Sequence, residues 1–244
     1  MVELLAAVAL AMVHLSRLAE ELVWWSNPSI GFVRLADPFV TGSSMLPNKR
    51  NPDPAELVRG RAARVIGNLT AILAVLKGLP LGYQRDLQED KAPLFESVRI
   101  LRESLAVVTP VIAELGIDEG RLGEAVRGGF LTAVAAADAL VELGLPFRSA
   151  HAVVGGLVRL AEDRGVGLEG LADTDLIGAL AASDDPAGQA LAERTDITGA
   201  IRGALSVEGA LARCDVVGGT APRRVRAELD VNARRLGLEA GSSG

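Results

Sequence analysis

Apolar residues recur every three or four positions along most of the chain, and the runs break at Gly, Pro and Asp. Alternating strand patterns are nearly absent. Residues 4–13 are ten consecutive apolar residues, and the stretch continues amphipathically through His14, Arg17, Glu20 and Glu21, which predicts one helix over residues 1–26 with no cap signal at its start. Asp53 followed by Pro54 has the form of an N-cap with proline at the first helical position. The apolar period from Leu57 then runs to Lys77, where Gly78 and Pro80 stop it. A third long run covers 93–115, with Pro110 predicted to kink it. Shorter helices are predicted over 119–143, 149–164, 173–182, 186–193, 197–205, 207–214 and 222–236. The pattern predicts an all-α fold in which a bundle of long helices, residues 1–117, precedes a small helical domain, residues 118–244.

Composition narrows the function classes. The 244 residues are 49% hydrophobic and only 3% aromatic. Ala, Leu and Val dominate the apolar set, which suits close helix packing and excludes disorder. The net charge of −6 argues against general nucleic-acid binding. A ten-residue apolar run is short of the ~20 that cross a bilayer, and Glu3 stands where a signal peptide would need basic residues. No membrane partner is therefore expected. The single cysteine, Cys214, cannot form an internal disulfide, which points to a reducing cytoplasm and a small core side chain. His14 and His151 read as packed or capping histidines, and the arginines from Arg223 to Arg235 as a solvated helix face. Residues 241–244, Gly-Ser-Ser-Gly, read as a natural tail or a cloning remnant. The Ala-rich faces exceed what three long helices can bury, so self-association is expected.

Two segments carry the polar chemistry. Residues 27–52 make an irregular stretch too long for an ordinary connection. Its end, Thr41-Gly-Ser-Ser-Met-Leu-Pro-Asn-Lys-Arg-Asn-Pro-Asp53, feeds a helix N-terminus, whose free N–H groups and dipole favour an anion. Lys49 and Arg50 add positive charge; Ser43, Ser44 and Asn51 offer neutral hydrogen bonds. A carboxylate or phosphate would suit this loop, and a merely solvated polar loop would have the same composition. The second segment, 78–90, gathers Tyr83, Arg85, Asp86, Gln88, Glu89 and Asp90.

Gly42-Ser43-Ser44 followed by Pro47, Lys49, Asn51 and Pro52 resembles the signature loop of the fumarase/aspartase superfamily of lyases. Lys77-Gly-Leu-Pro-Leu-Gly-Tyr-Gln-Arg-Asp-Leu-Gln-Glu-Asp-Lys91 resembles the argininosuccinate lyase version of this region, Gly144-Leu-Pro-Phe-Arg-Ser-Ala-His151 its C-terminal domain and Gly218-Gly-Thr-Ala-Pro222 the approach to its last helix, in matching order and spacing. The resemblance covers nearly the whole chain, but only the C-terminal half of such an enzyme. It implies cleavage of argininosuccinate to arginine and fumarate without metal or organic cofactor, in tetramers whose sites combine three chains.

The same resemblance assigns residues. Ser43 becomes the base that takes a proton next to a substrate carboxylate, an uphill task for a neutral hydroxyl that needs donors around its alkoxide. Ser44 could be confused with it. Lys49 and Asn51 become carboxylate-binding residues, and Tyr83, Gln88 and Lys91 bind the arginine-bearing end. Glu56 has two readings: a capping-box partner of Asp53, or the carboxylate that orients the general-acid histidine. Met45-Leu46 reverses the usual order, Asn48 replaces glutamine and Gln84 replaces asparagine. The N-terminal half, with its Thr/Asn elements and the acid histidine, is missing, so this chain carries half a site. Adenylosuccinate lyase or another fumarate-releasing relative is the nearest alternative enzyme. A non-catalytic helical scaffold is the alternative of another class.

Overall fold

The computed structural model describes residues 1–42, 44–46 and 48–238; Ser43, Pro47 and residues 239–244, with the Gly-Ser-Ser-Gly tail, lie outside the described residues. The fold is all-α, with eleven helices among the described residues. It divides into two compact units, Met1–Leu122 and Gly123–Gly244.

The first unit is built on α1 (Val2–Trp25), α2 (Asp53–Leu76) and α3 (Lys91–Ala113). Buried residues on α2, Ala55, Val58, Ala62, Val65 and Ile72, follow steps of three, four and seven, a single stripe along a helix. That stripe meets Val8, Ala9, Met12, Ala19 and Leu22 of α1 and Ile100, Val108 and Val111 of α3. The alanines in the seam let the helices approach closely. Polar links register the helices: Arg59 donates to Glu20 at 2.5 Å, Arg61 to Glu103 at 3.1 Å and Arg64 to Glu96 at 3.1 Å. By length and composition α1 is apolar enough to cross a membrane. In this fold one of its stripes is core, while Leu4 and Leu10 remain exposed. A two-residue antiparallel ladder joins β1 (Val33–Arg34) to β2 (Gly116–Ile117) and ties the long connection after α1 to the end of α3.

The second unit follows α4 (Glu119–Arg127), whose residues fall on both sides of the division. Helices α5 (Ala133–Glu142), α6 (Phe147–Arg164), α7 (Asp173–Ala181), α8 (Pro186–Ala192) and α9 (Ile197–Leu205) surround Leu140, Leu157, Leu176, Leu180 and Ile201. Gly165 closes α6 in the left-handed conformation, φ 65°, which satisfies the last carbonyls without a Cβ clash. Short α10 (Val207–Arg213) and α11 (Pro222–Arg235) complete the chain.

Four local expectations change. The run 119–143 is two helices, because Gly128 and Gly129 interrupt it; Gly129 has φ 69° and Phe130 φ 56°, both left-handed. The third long helix begins at Lys91, so that Pro93 occupies its first turn, where no N–H is needed. Pro110 lies in the last turn, three residues before the helix ends. Cys214 is exposed and not a core residue: it follows the last residue of α10, where its thiol faces the Ala210 carbonyl at 3.6 Å.

Candidate active site

The signature loop is closed at its neck. Thr41 and Asn51 exchange both backbone hydrogen bonds, at 3.0 and 2.8 Å, and the Thr41 hydroxyl donates to the Asp53 carboxylate. Asp53 is therefore the first residue of α2 and a partner of the loop rather than the helix cap, and Pro52 occupies the cap position. The capping-box reading of Glu56 fails for the same reason. Its carboxylate is exposed, and among the described residues it makes no side-chain hydrogen bond.

Beside this neck lies a cavity of about 450 Å³, lined by Ser26, Asn27 and Pro28 after α1, by residues 48–52 of the loop, and by Glu56. Lys49, Asn51 and Glu56 thus share one pocket. A turn in which the Lys49 N–H donates to the Leu46 carbonyl at 3.0 Å delivers the loop to the neck. Arg50 does not offer a free positive charge. Its guanidinium donates to Asp37 Oδ1 at 2.6 Å and to the Leu35 carbonyl at 3.0 Å. The Arg50 hydrogen bond and charge hold the Asp37 carboxyl below the usual carboxylate range. Ser43, the expected base, lies outside the described residues.

The second group sits elsewhere. Gln88 Nε2 donates to the Tyr83 hydroxyl at 3.3 Å, and Lys91 pairs with the adjacent Asp90. Lys91 opens α3 beside the far half of α2, since Asn68 donates to the Pro93 carbonyl at 3.4 Å. From Asp53 to Asn68 the chain climbs fifteen residues of a 24-residue helix, about 22 Å at ~1.5 Å per residue. Within one chain, Tyr83, Gln88 and Lys91 do not reach the pocket that holds Lys49, Asn51 and Glu56.

The family described as Lyase matches residues 1–67, and the family described as Argininosuccinate lyase C-terminal matches residues 130–212. An argininosuccinate lyase of Nitratidesulfovibrio vulgaris is 46% identical over 221 residues, 91% of this chain and 45% of the relative. One of Clavibacter sepedonicus is 48% identical over 220 residues, 89% of this chain and 42% of the relative. Over about nine tenths of its length the chain is similar to argininosuccinate lyases. It spans less than half the length of these curated relatives. Among solved structures, an EDDS lyase variant with bound fumarate superposes with a TM-score of 0.80 at 25% identity, over 95% of this chain and 45% of that one.

Within this chain the two groups of polar residues stand apart rather than forming one closed centre. Sequence reasoning missed the neck itself. Thr41 and Asp37 were not singled out, although Asp37-Pro38 is a turn signal before the glycine-serine loop. It also missed the pocket wall made by Asn27-Pro28, a helix-ending signal that directs the chain past the loop. Among the described residues no three His, Cys, Asp or Glu side chains gather into a metal-sized cluster.

Proposed function

We propose that the complete enzyme to which this chain contributes is an argininosuccinate lyase that releases arginine and fumarate. The observation that carries the reading is the shared pocket of Lys49, Asn51 and Glu56 at the neck of the loop. Ser43 takes the proton from the carbon next to a substrate carboxylate, and the electron pair forms the new C=C bond. The C–N bond breaks, and the departing guanidino nitrogen receives a proton from a histidine supplied by another part of the enzyme. Lys49 and Asn51 hold the carboxylate where charge accumulates, and Glu56 orients the acid histidine. Tyr83, Gln88 and Lys91 bind the arginine-bearing end in a site completed by a different subunit, in keeping with their separation of about 22 Å along α2 at ~1.5 Å per residue. The chemistry needs no metal or organic cofactor.

Assembly into a tetramer follows the same logic. A groove of about 650 Å³ between α1 and α3, lined by Leu4, Leu94, Phe95, Val98 and Ala106 together with Arg99, Arg102 and Glu103, is largely apolar and uncovered in the single chain. We place the enzyme in the cytoplasm on the strength of its lone cysteine. The deciding experiment follows fumarate absorbance with the complete enzyme, offering argininosuccinate, adenylosuccinate and other amino-substituted succinates. Turnover of argininosuccinate alone supports the reading; a preference for another amine moves the function to a different fumarate-releasing lyase, a second reading favoured by the EDDS lyase likeness.

A further inference from the structure

The segment that carries Lys49 and Asn51 is fixed at three points, and the third is not part of the loop. Its N-terminal side is held by the turn from Leu46 to Lys49, and its C-terminal side by the paired backbones of Thr41 and Asn51. Between them Arg50 reaches back thirteen residues to the Asp37 carboxylate, and its second bond ends on the carbonyl of Leu35. Leu35 is 3% exposed and packs into the cluster of Ala19, Leu22, Val58 and Val111. The anchor is therefore core backbone, not another loop.

We propose that Asp37 and Arg50 form a latch that sets the position of the Lys49–Asn51 segment, making both positioning residues for the carboxylate-binding half of the site. This rests on the lyase reading given above. An exposed ion pair stabilises a fold little, and Asp37 is 79% exposed, so fold stability is a weak reason for this pair. Its geometry supplies a better one. Arg50 stands directly between the two residues that face the substrate carboxylate, and its one terminal nitrogen Nη2 donates to both the Asp37 carboxylate and the Leu35 carbonyl, which ties the segment to both. Lysine could hold the charge, but as a shorter, freely rotating point donor it fixes the direction less tightly than the planar guanidinium. Displacement of a carboxylate-binding donor by about 1 Å costs on the order of 10²-fold in rate.

The test compares Asp37→Ala, Asp37→Glu and Arg50→Lys in the complete enzyme, with two independent readouts. Amide hydrogen exchange at Thr41 and Asn51 reports the neck directly. Steady-state kinetics report its consequence. Asp37→Ala is expected to speed exchange at both amides and to lower kcat by roughly ten- to a hundredfold, with a smaller change in KM. Asp37→Glu, which restores the carboxylate, is expected to recover most of both, and Arg50→Lys to fall between. Unchanged exchange in Asp37→Ala overturns the latch. Faster exchange with unchanged kcat overturns its positioning role. If the wild-type enzyme releases no fumarate from argininosuccinate, the assigned reaction fails instead, and the exchange measurement alone decides the latch.

Discussion

Two serines seven residues apart on α3 are both fully buried, with opposite surroundings. Ser97 donates to the Pro93 carbonyl at 2.7 Å and accepts from Asn68 at 3.0 Å, while the Ser104 hydroxyl has no partner among the described residues. A satisfied buried hydroxyl contributes about 1 kcal/mol, and an unsatisfied one costs about 1–3 kcal/mol. Ser97→Ala is accordingly expected to destabilise, and Ser104→Ala to stabilise, each by about 1 kcal/mol in urea unfolding. A second contrast involves charge. Asp175 accepts from the Ala172 N–H at 2.9 Å and pairs with both Arg164 nitrogens at 2.6 and 3.0 Å. Arg164 first, then the Ala172 amide, hold its carboxyl below the usual range. A depressed folded pKa gives stability that is complete above the unfolded value, about 4, and that is lost as pH falls through the folded value. The thermal midpoints of wild type and Asp175→Asn should therefore differ by a constant amount near neutrality and converge in acid. A gap that widened below pH 4 would contradict the assignment.

At the scale of elements, the instructive case is the break between α4 and α5. Gly129 holds φ 69°, where a Cβ costs about 1 kcal/mol, so Gly129→Ala should lower the unfolding free energy by that much, read from denaturant titration. The periodicity of residues 119–143 did not reveal this break, because Leu122, Val126, Phe130, Ala133, Ala137 and Leu140 continue a helical spacing across it. Long-range contacts were equally hidden. The ladder of Val33 with Ile117 joins residues 84 positions apart, and no local pattern encodes a two-residue strand. The three long helices were legible because each carries an apolar period over twenty or more residues, which competing local signals cannot erase. In the loop, the polar stretch feeding a helix made Lys49 and Asn51 candidates for holding an anion, whereas Glu56 joined them only through the family resemblance. The turning away of Arg50 could not, since Asp37 is an unremarkable aspartate until the chain folds back on it.

For the whole molecule, the decisive quantity is the distance between the two polar groups. The proposed elimination requires proton removal, carboxylate stabilisation and protonation of the leaving nitrogen, and the residues assigned to it in this chain by resemblance cover the first two only. About 22 Å of α2, at ~1.5 Å per residue, also separates the neck of the loop from the level of Tyr83, Gln88 and Lys91. The purified 244-residue chain is therefore expected to show no useful turnover of argininosuccinate. Adding the N-terminal half of the enzyme as a separate chain should restore fumarate release, because packing against the exposed helix faces raises the effective concentration of the missing histidine at the site. Restored activity should then depend on the assembly rather than on either chain, rising with the fraction of complex seen in sedimentation. In that restored assembly Ser43→Ala should abolish fumarate release without changing sedimentation, whereas Tyr83→Phe and Gln88→Ala should raise KM more than they lower kcat. Cleavage by the chain alone, insensitive to Ser43→Ala, would mean that a different base and a different acid do the work.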